Sequence, residues 1–591
     1  MHHFRNARPE VTVFAKDSLQ SFGVSGLSID AVLKQAEGLY IRNYGGHGGV
    51  KTVSFRGFST QQSTFTINNV PYTSPQSGTV NVANFFLDNY DEVAVCRAPA
   101  NAAVNPLGGN VNVSLQNKKP KKSLEAGLGL YGEKIIGVNW GVKWQKMRLQ
   151  MGYKNIAAKD NFPYEINGEK GMRENAGFRS QQYQAQYNFD ISPTFQFAYF
   201  LTGFRSTQGV PDPIVTGNTQ ANGDSLQQKD VFQYAQLTIS PQKINSLWQP
   251  SRITITLNQH ANNMEACESG KTAIYKNQYF LGQVQVSHIF HKQLIHSVFQ
   301  VENSYLEGNN LAIRFRPVYS VERWQGNVGV EHQGFWGQWQ THTLIRLNLL
   351  SQYGVLGNLS LGGTFTEKNM TFFAHLIHGK RIPAFNELYY FGYGNADLKP
   401  EKIYSGDMGF SLQKKIFIPI SFKINVFANR TKDKIISVPL TPVRWSTQAI
   451  GLTQTLGFEY SLEAKIGKKQ HLYLNYTLQK AVDLTHNPHP ILPYTPLELL
   501  NYGYRFYWGK WQFYLNGNYS GWRFSALQNE KSTFLPAYHL IDVGTEYHFS
   551  WQKTNFNITM QAENIGNKHY EVIRAYPMPP VMGRIKVGIL F

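Results

Sequence analysis

The chain has 591 residues, more than one ordinary soluble domain contains. Charged residues make up 16% of it and aromatic residues 14%, whereas soluble domains carry roughly 25% charged residues. No apolar run reaches the roughly 18 residues that a membrane-spanning helix needs, which excludes a helical membrane protein. Sparse charge and many aromatic residues favour a barrel whose strands face lipid on one side and a polar lumen on the other.

The net charge is +19, and the basic residues are spread along the chain. They form no basic helix and no stacking platform, so nucleic-acid binding is not expected. A lumen and loops that attract an anionic solute, or lipopolysaccharide phosphates outside the cell, account for the charge. Cys96 and Cys267 match no zinc-ligand spacing, so we expect two unpaired small side chains.

The N-terminal region, residues 1–118, is predicted to be a small α+β domain. A short strand is predicted at Val11–Ala15. A helix is predicted over Ser28–Gln35, with Ser28 as its N-cap. Compact strands and glycine-rich turns follow, and the basic linker Asn117–Lys122 ends the domain.

Residues 122–591 alternate between apolar and polar side chains, which is typical of strands with two different faces. A soluble sandwich would also alternate. The persistence of the pattern, and the aromatic residues that border its apolar faces, favour an all-β transmembrane barrel. Plugged barrels of this class have about 22 strands, and the length of this region fits that number. Segments that alternate clearly are Met147–Lys154, Ile253–Asn258, Leu472–Leu478, Trp511–Asn516 and Phe556–Ala562.

The last segment alternates up to the final residue, with Ile585, Val587, Ile589 and Phe591 on one face. Such a strand needs a partner, because an unpaired edge cannot lie in lipid. We therefore expect it to close the barrel against the first barrel strand.

Three sets of motifs resemble the TonB-dependent outer-membrane transporters. The barrel contains Arg381–Tyr390 followed by Gly394–Glu401, and the chain ends with Glu563–Asn564 and the tail to Phe591. The N-terminal region follows the order of the plug in that family, with Gly38–Gly46, Ser54–Phe58, Ile67–Pro71, Val93–Arg97 and Leu107–Val113. The resemblance spans both regions, and it implies a barrel of about 22 antiparallel strands filled by an N-terminal plug.

The resemblance also implies a function, which is energised uptake of a scarce, bulky nutrient across the outer membrane. We expect a monomeric receptor for a ferric siderophore or a similar metal chelate, coupled to a TonB-type protein and embedded beside lipopolysaccharide. A cobalamin or haem receptor is the alternative within this fold, and an uncoupled channel or surface-binding barrel is the alternative outside it. No TonB box precedes Val11, and Met1–Asn6 lacks the apolar core of a secretion signal. We therefore expect both segments upstream, or a different mode of coupling.

Four charged residues are candidates for a latch that holds the plug. In this family the positions of Arg56 and Arg97 face the barrel wall, and Glu401 and Glu459 are plausible acidic partners. A buried charge must be paired or it carries a desolvation cost of several kcal/mol. The alternative is that all four are ordinary solvated charges of the lumen.

Two plug loops are candidates for contact with the ligand, because hydroxyls and amides orient a polar solute without adding charge. Ordinary turn composition is the alternative for each residue. The candidates are Ser59, Thr60, Gln61, Gln62, Tyr72, Thr73, Ser74 and Gln76.

No catalytic motif is present, so an enzyme is not expected, and neither is a resident metal or cofactor. His47, His375 and His378 are the histidines considered for haem iron. Haem transporters of this family often place a histidine within the barrel motif, and residues 381–400 contain none.

Overall fold

The computed structural model describes residues 11–591 except 16–28, 47, 86–89, 98–101, 106, 116–119, 167, 215–222, 242–249, 269, 416 and 442–443. A closed barrel of 22 antiparallel strands surrounds a small N-terminal domain, the plug. Both the barrel and its strand number confirm the expectation from the sequence.

The plug is built on a five-stranded sheet. Its elements are β1 (Val11–Ala15), α1 (Asp30–Leu33), β2 (Leu39–Asn43), β3 (Lys51–Phe55), β4 (Ser63–Ile67), β5 (Val70–Pro71), β6 (Glu92–Cys96) and β7 (Gly109–Ser114). The sheet order is β1-β6-β7-β4-β5, with β4 and β7 parallel, while β2 and β3 form a separate hairpin.

The strand predicted at Val11–Ala15 is confirmed. The predicted helix is shorter than expected, because only one turn is helical and its N-cap is Ile29. Ser28, the predicted N-cap, lies outside the described residues. None of the helices in the described residues is long and apolar enough to cross a membrane.

The barrel strands run around the wall in chain order. In the described connections there are four hairpins and one α-helix, besides short 3-10 turns. The strands are β8 (Ser123–Gly129), β9 (Glu133–Trp144), β10 (Met147–Ala158), β13 (Phe178–Asp190), β14 (Phe195–Gly209), β15 (Ser225–Ile239), β16 (Arg252–Glu268), β17 (Lys271–Phe290), β18 (Gln293–Ile313), β19 (Arg316–Trp336), β20 (Trp339–Leu350), β21 (Gly354–Glu367), β22 (Met370–Arg381), β23 (Glu401–Lys415), β24 (Pro419–Lys432), β27 (Leu452–Ile466), β28 (Gln470–Asp483), β29 (Glu498–Trp508), β30 (Trp511–Ser520), β33 (Tyr538–Trp551), β34 (Thr554–Glu563) and β37 (Met582–Leu590). The hairpins are β11 (Pro163–Ile166) with β12 (Glu169–Met172), β25 (Ile435–Thr441) with β26 (Arg444–Ala449), β31 (Arg523–Phe524) with β32 (Phe534–Leu535), and β35 (Glu571–Ile573) with β36 (Tyr576–Pro577); the helix is α2 (Phe385–Tyr389).

Strands β37 and β8 close the barrel, as the alternating tail predicts. Ile585 pairs with Leu128 and Val587 with Ala126. The N–H of Phe591 donates to the carbonyl oxygen of Lys122 at 3.0 Å. No sheet edge is therefore left open at this seam.

The two faces of each strand differ as the alternation predicts. In β20, Ile345 and Leu347 are 50% and 43% exposed on the outer face, whereas Arg346 and Asn348 are 2% and 0% exposed toward the plug. At one end of the barrel most neighbouring strands are joined by turns of two to four residues, with a longer connection at 240–251. At the other end most connections are longer, although those at 130–132, 269–270, 314–315 and 351–353 are also short. We call these the short-turn end and the loop end.

The apolar core of the plug continues into the barrel wall. Phe65, Phe85 and Tyr72 of the plug belong to one buried cluster with Phe200 and Phe232 of the wall. Cys96 is buried in the plug, Cys267 lies in β16, and the two are not joined by a disulfide.

Candidate functional site: a vestibule above the plug and the contacts that hold the plug

A cavity opens above the plug at the loop end, and we call it the vestibule. Its volume is about 720 Å³. The plug supplies the floor, through Arg42, Tyr44 and the segment 57–61. The connections between barrel strands supply the walls. Pockets for small ligands measure about 300–1,000 Å³, so the vestibule is large enough for a compact chelate.

The charged side chains that line the vestibule balance one another. Among the described lining residues they are Arg42 and Lys434, which are basic, and Asp160 and Glu387, which are acidic. Lys434 lies beyond the end of β24, where burial lowers the pKa of its ammonium group to about 8 although Glu401 opposes the shift. The balanced charge of the vestibule differs from the expectation of a positively charged lumen. The basic excess of the chain does not line this cavity.

The described floor and walls of the vestibule are rich in tyrosine and in apolar side chains. Tyrosine combines a large apolar ring with one hydroxyl, which suits it to bind a bulky solute of low charge. The lining tyrosines are Tyr44, Tyr390, Tyr393, Tyr494 and Tyr576, and the lining apolar residues include Val50, Phe58, Leu226, Met264, Ile436 and Leu527. Sequence reasoning missed the tyrosines because most lie in barrel connections far apart in the chain.

The structure separates the candidate ligand residues of the plug into two groups. Ser59, Thr60 and Gln61 line the vestibule. The other five lie away from it: Gln62, Tyr72, Thr73, Ser74 and Gln76. Gln62, Tyr72 and Gln76 are buried, and Ser74 contacts Ser77 within its own loop at 3.2 Å. This differs from the expectation that both loops face the ligand, because the loop after β5 packs against the barrel wall.

Tyr72 and Thr73 are bound by a polar cluster on the wall, centred on Asp230. The Tyr72 hydroxyl donates to Asp230 at 2.9 Å. The ring nitrogens of His260 lie 3.0 Å from Asp230 Oδ2 and 2.6 Å from the carbonyl oxygen of Thr73. Asn262 also donates to Asp230, at 2.9 Å. Asp230 and His260 thus hold one plug loop, and Asn262 supports Asp230 from the neighbouring strand.

Arg56 forms a buried ion cluster with the opposite side of the wall. Its Nε and Nη2 donate to the two oxygens of Glu459 at 2.9 Å and 2.8 Å, and its Nη1 donates to Asp407 at 2.8 Å. The guanidinium lies over the ring of Phe427, with Arg56 Cζ 5.0 Å from the centroid of that ring. His375 contacts the other Asp407 oxygen at 2.9 Å. Burial alone would lower the pKa of Arg56, but Glu459 and Asp407 raise it above its ordinary value.

The backbone beside Arg56 leaves room for this cluster. Gly38 has a φ of +66°, and a Cβ atom there would lie 2.0 Å from Glu459 Oε1. Its N–H donates to the Thr477 hydroxyl at 3.2 Å. Only a residue without a side chain fits between the plug and Glu459, which explains the glycine at this position.

Glu401 joins the barrel motif to the plug, but its partners are neither Arg56 nor Arg97. Its Oε2 accepts from Arg381 Nε at 2.7 Å and from Gln62 Nε2 of the plug at 2.8 Å. Arg381 also pairs with Glu387 of α2 at 2.8 Å. The motif residues Arg381, Glu387 and Glu401 thus form one buried network at the foot of the connection after β22.

Arg97 pairs within the plug instead of with Glu401 or Glu459. It donates to Glu37 at 2.7 Å, and Lys423 of β24 lies 2.7 Å from the same oxygen. Glu37 therefore bridges the plug and the barrel. Burial alone would raise its pKa, but the charges of Arg97 and Lys423 lower it to about 2.

The candidate haem ligands do not line the vestibule. His375 is bound to Asp407, and the ring of His378 lies tilted against that of Tyr404, with ring centroids 4.7 Å apart. His47 lies outside the described residues. The part of the chain that the structure describes holds no group of three or more His, Cys, Asp or Glu residues arranged for a metal ion.

A barrel of 22 strands filled by an N-terminal plug defines the class of plugged outer-membrane receptors. The TonB-dependent receptor plug domain matches residues 5–109, and the TonB-dependent receptor-like β-barrel matches residues 318–565. The chain belongs to the TonB-dependent receptor family and lies in the outer membrane.

Named relatives are distant in sequence and close in fold. The vitamin B12 transporter BtuB of Vibrio vulnificus is 19% identical over 493 residues, which cover 78% of this chain and 73% of that protein. A mutant of the ferric enterobactin receptor PfeA from Pseudomonas aeruginosa superposes with a TM-score of 0.80 at 12% identity, covering 100% of this chain and 99% of that one. The siderophore receptor PirA of Acinetobacter baumannii gives 0.79 at 13% identity, covering 99% and 98%. The family is one of transporters and receptors.

Proposed function

We propose that this chain is an active-transport receptor that binds a ferric siderophore or a similar metal chelate in the vestibule. The observation that carries the proposal is the lining of this cavity, which combines tyrosines, apolar side chains and balanced charges. Such walls match a bulky chelate of low net charge better than a small anion. The proposed units are the plug, residues 1–118, and the barrel, residues 122–591.

The proposed transport cycle uses energy from a TonB-type coupling protein to displace or remodel the plug. Arg56, Glu459 and Asp407 act as the latch in this proposal, and Glu401 acts through Gln62. Arg97 acts through Glu37, which meets Lys423 of the wall. The receptor works as a monomer embedded beside lipopolysaccharide.

Cobalamin is the second candidate ligand. The alignment with BtuB, a vitamin B12 transporter, extends through most of both chains and favours it. Haem has no comparable support, because neither described candidate histidine lines the vestibule.

The test is equilibrium binding of ferric siderophores, cobalamin and haem to the detergent-purified receptor at low and high ionic strength. We expect one chelate to bind with an affinity that changes little with salt, because the vestibule is balanced in charge. Tight binding of cobalamin alone would reassign the ligand. Failure of every chelate would overturn the substrate class.

A matched pair of variants locates the binding site. Tyr44→Ala removes a ring from the vestibule floor, and Tyr319→Ala removes a ring that is 82% exposed on β19 and does not line the vestibule. We expect Tyr44→Ala to weaken binding about tenfold, or about 1.4 kcal/mol, and Tyr319→Ala to leave it unchanged. Equal effects of the two would place the ligand outside the vestibule.

Energy coupling is tested by uptake of the bound chelate into cells with and without an uncoupler of the proton gradient. Uptake that stops with the uncoupler supports the receptor. Uptake that continues favours the uncoupled channel.

A further inference from the structure

The short-turn end of the barrel carries a belt of lysines that the proposed transport function does not use. We define the short-turn rim as residues 120–124, the turns at this end, and the two strand residues on either side of each turn. The turns are 145–146, 191–194, 291–292, 337–338, 368–369, 417–418, 467–469, 509–510 and 552–553. Its basic residues are Lys121, Lys122, Lys143, Lys146, Arg148, Lys292, Lys368, Lys414, Lys415, Lys465, Lys468, Lys469, Lys510 and Lys553. All of them are exposed except Lys121 and Arg148, which are half-buried.

Acidic residues are sparse in the same zone. Within the described part of the rim they are Asp190 and Glu367, and Asp190 is paired with Arg148 at 2.7 Å. The rim therefore holds much of the positive excess of a chain with net charge +19. The vestibule at the other end of the barrel is balanced in charge.

Aromatic side chains lie among these lysines. Trp144, Trp508 and Trp551 are 65%, 62% and 69% exposed beside Lys143, Lys510 and Lys553. Trp511 lies across the same turn from Trp508, and Trp336 and Trp339 flank another turn at this end. Tryptophan collects where lipid tails meet headgroups, so these rings set the depth of the rim at the membrane surface.

We propose that the short-turn rim binds the anionic headgroups of phospholipids in the inner leaflet of the outer membrane. Outer-membrane barrels direct their short turns toward the periplasm, so this rim meets a phospholipid surface. Basic residues next to an anionic leaflet attract its headgroups, and long lysine side chains reach them while their stems lie along apolar surface. The arrangement selects negatively charged lipids over zwitterionic ones around the barrel.

The test measures which lipid contacts the rim. The full-length receptor is placed in mixed micelles with brominated phosphatidylglycerol or brominated phosphatidylcholine, and quenching of tryptophan fluorescence reports contact. We expect the relative association constant to favour phosphatidylglycerol several-fold in low salt. The preference should fall toward equality in high salt, because salt screens exposed charges.

Two variants with equal numbers of substitutions separate the rim from the rest of the surface. The rim variant changes Lys143, Lys146, Lys468, Lys469 and Lys510 to Gln. The control variant changes the exposed lysines Lys170, Lys399, Lys480, Lys531 and Lys568 of the loop end to Gln. Heat-modifiable migration on gels verifies that both fold.

The proposal requires that the rim variant lose the phosphatidylglycerol preference and that the control variant keep it. Equal quenching by both lipids in the unmodified receptor would overturn it. Loss of chelate uptake by the rim variant with an unchanged lipid preference would also overturn it, because the rim would then serve a protein partner. Neither result depends on the identity of the transported ligand.

Discussion

The plug meets the barrel in two chemically different ways. Toward β22–β27 the contact is ionic, through Arg56 with Glu459 and Asp407 and through Glu37 with Lys423. Toward β14–β17 the plug packs through aromatic rings, with the ring of Tyr72 5.0 Å from that of Phe232, beside the polar cluster centred on Asp230. Exposure to water therefore has a different free-energy cost for the ionic side and for the aromatic side.

Separated ions regain their hydration, so a paired and buried charge contributes little net stability. Separated rings expose apolar surface, at a cost of roughly 25 cal/mol per Å². The ionic side therefore fixes the position and orientation of the plug in the barrel. The aromatic side opposes removal of the plug. Under a pulling force we expect the ionic side to take up water first.

The largest expected effect comes from removing one partner of the ionic side. Arg56→Ala leaves Glu459 and Asp407 buried without their main counter-ion, which costs about 3–5 kcal/mol. We expect faster amide hydrogen exchange in β2 and β3, measured by mass spectrometry. The control is Arg148→Ala, which breaks a partly exposed pair with Asp190 and costs about 0–1 kcal/mol. Equal protection of the plug in both variants would contradict the ionic side as a structural contact.

A smaller effect on the stability of the plug is expected at acidic pH, through protonation of Glu37. The pKa of its carboxyl is held at about 2 in the folded protein, below its ordinary value near 4.5. The carboxylate therefore contributes stability that is present above the ordinary pKa and is lost as the pH falls from about 4.5 toward 2. Plug protection should fall between pH 5 and pH 3 more steeply in the unmodified chain than in Glu37→Gln. Parallel curves for the two proteins would argue against this bridge.

The smallest effect is expected on the aromatic side. Tyr72→Phe keeps the ring and removes one of three described donors to Asp230, which costs about 0.5–1.5 kcal/mol. Exchange in β4 and β5 should rise slightly, and exchange in β2 should not change. A change as large as that of Arg56→Ala would mean that the hydroxyl, and not the ring, dominates this side.

The sequence predicts the fold well because its signals are local. Alternation over Met147–Lys154 and Phe556–Ala562 places strands β10 and β34 and decides which face meets lipid. In the structure Asp230 and Asp407 lie on inward faces of β15 and β23. The alternation cannot say which plug residue each one meets, because that depends on strands far apart in the chain.

The candidate site shows this limit in particular residues. Arg56 does meet Glu459, although its role as a latch stays a prediction. Arg97 finds Glu37 of its own domain, and Glu401 finds Arg381. A buried charge pairs with the nearest well-oriented partner. Which residue that is depends on the conformation of the loops, which the sequence pattern does not predict. The tyrosines of the vestibule were missed for the same reason.

The seam between β8 and β37 has a consequence for assembly. Its partners, such as Leu128 and Ile585, belong to the first and last barrel strands of the chain. Closing so long a loop has a high entropic cost, and contacts between distant segments form slowly. The seam is therefore expected to form last, after neighbouring hairpins have joined. Until then two strand edges stay open at once, and both need a chaperone or an insertion machine to keep them from pairing with the wrong chain.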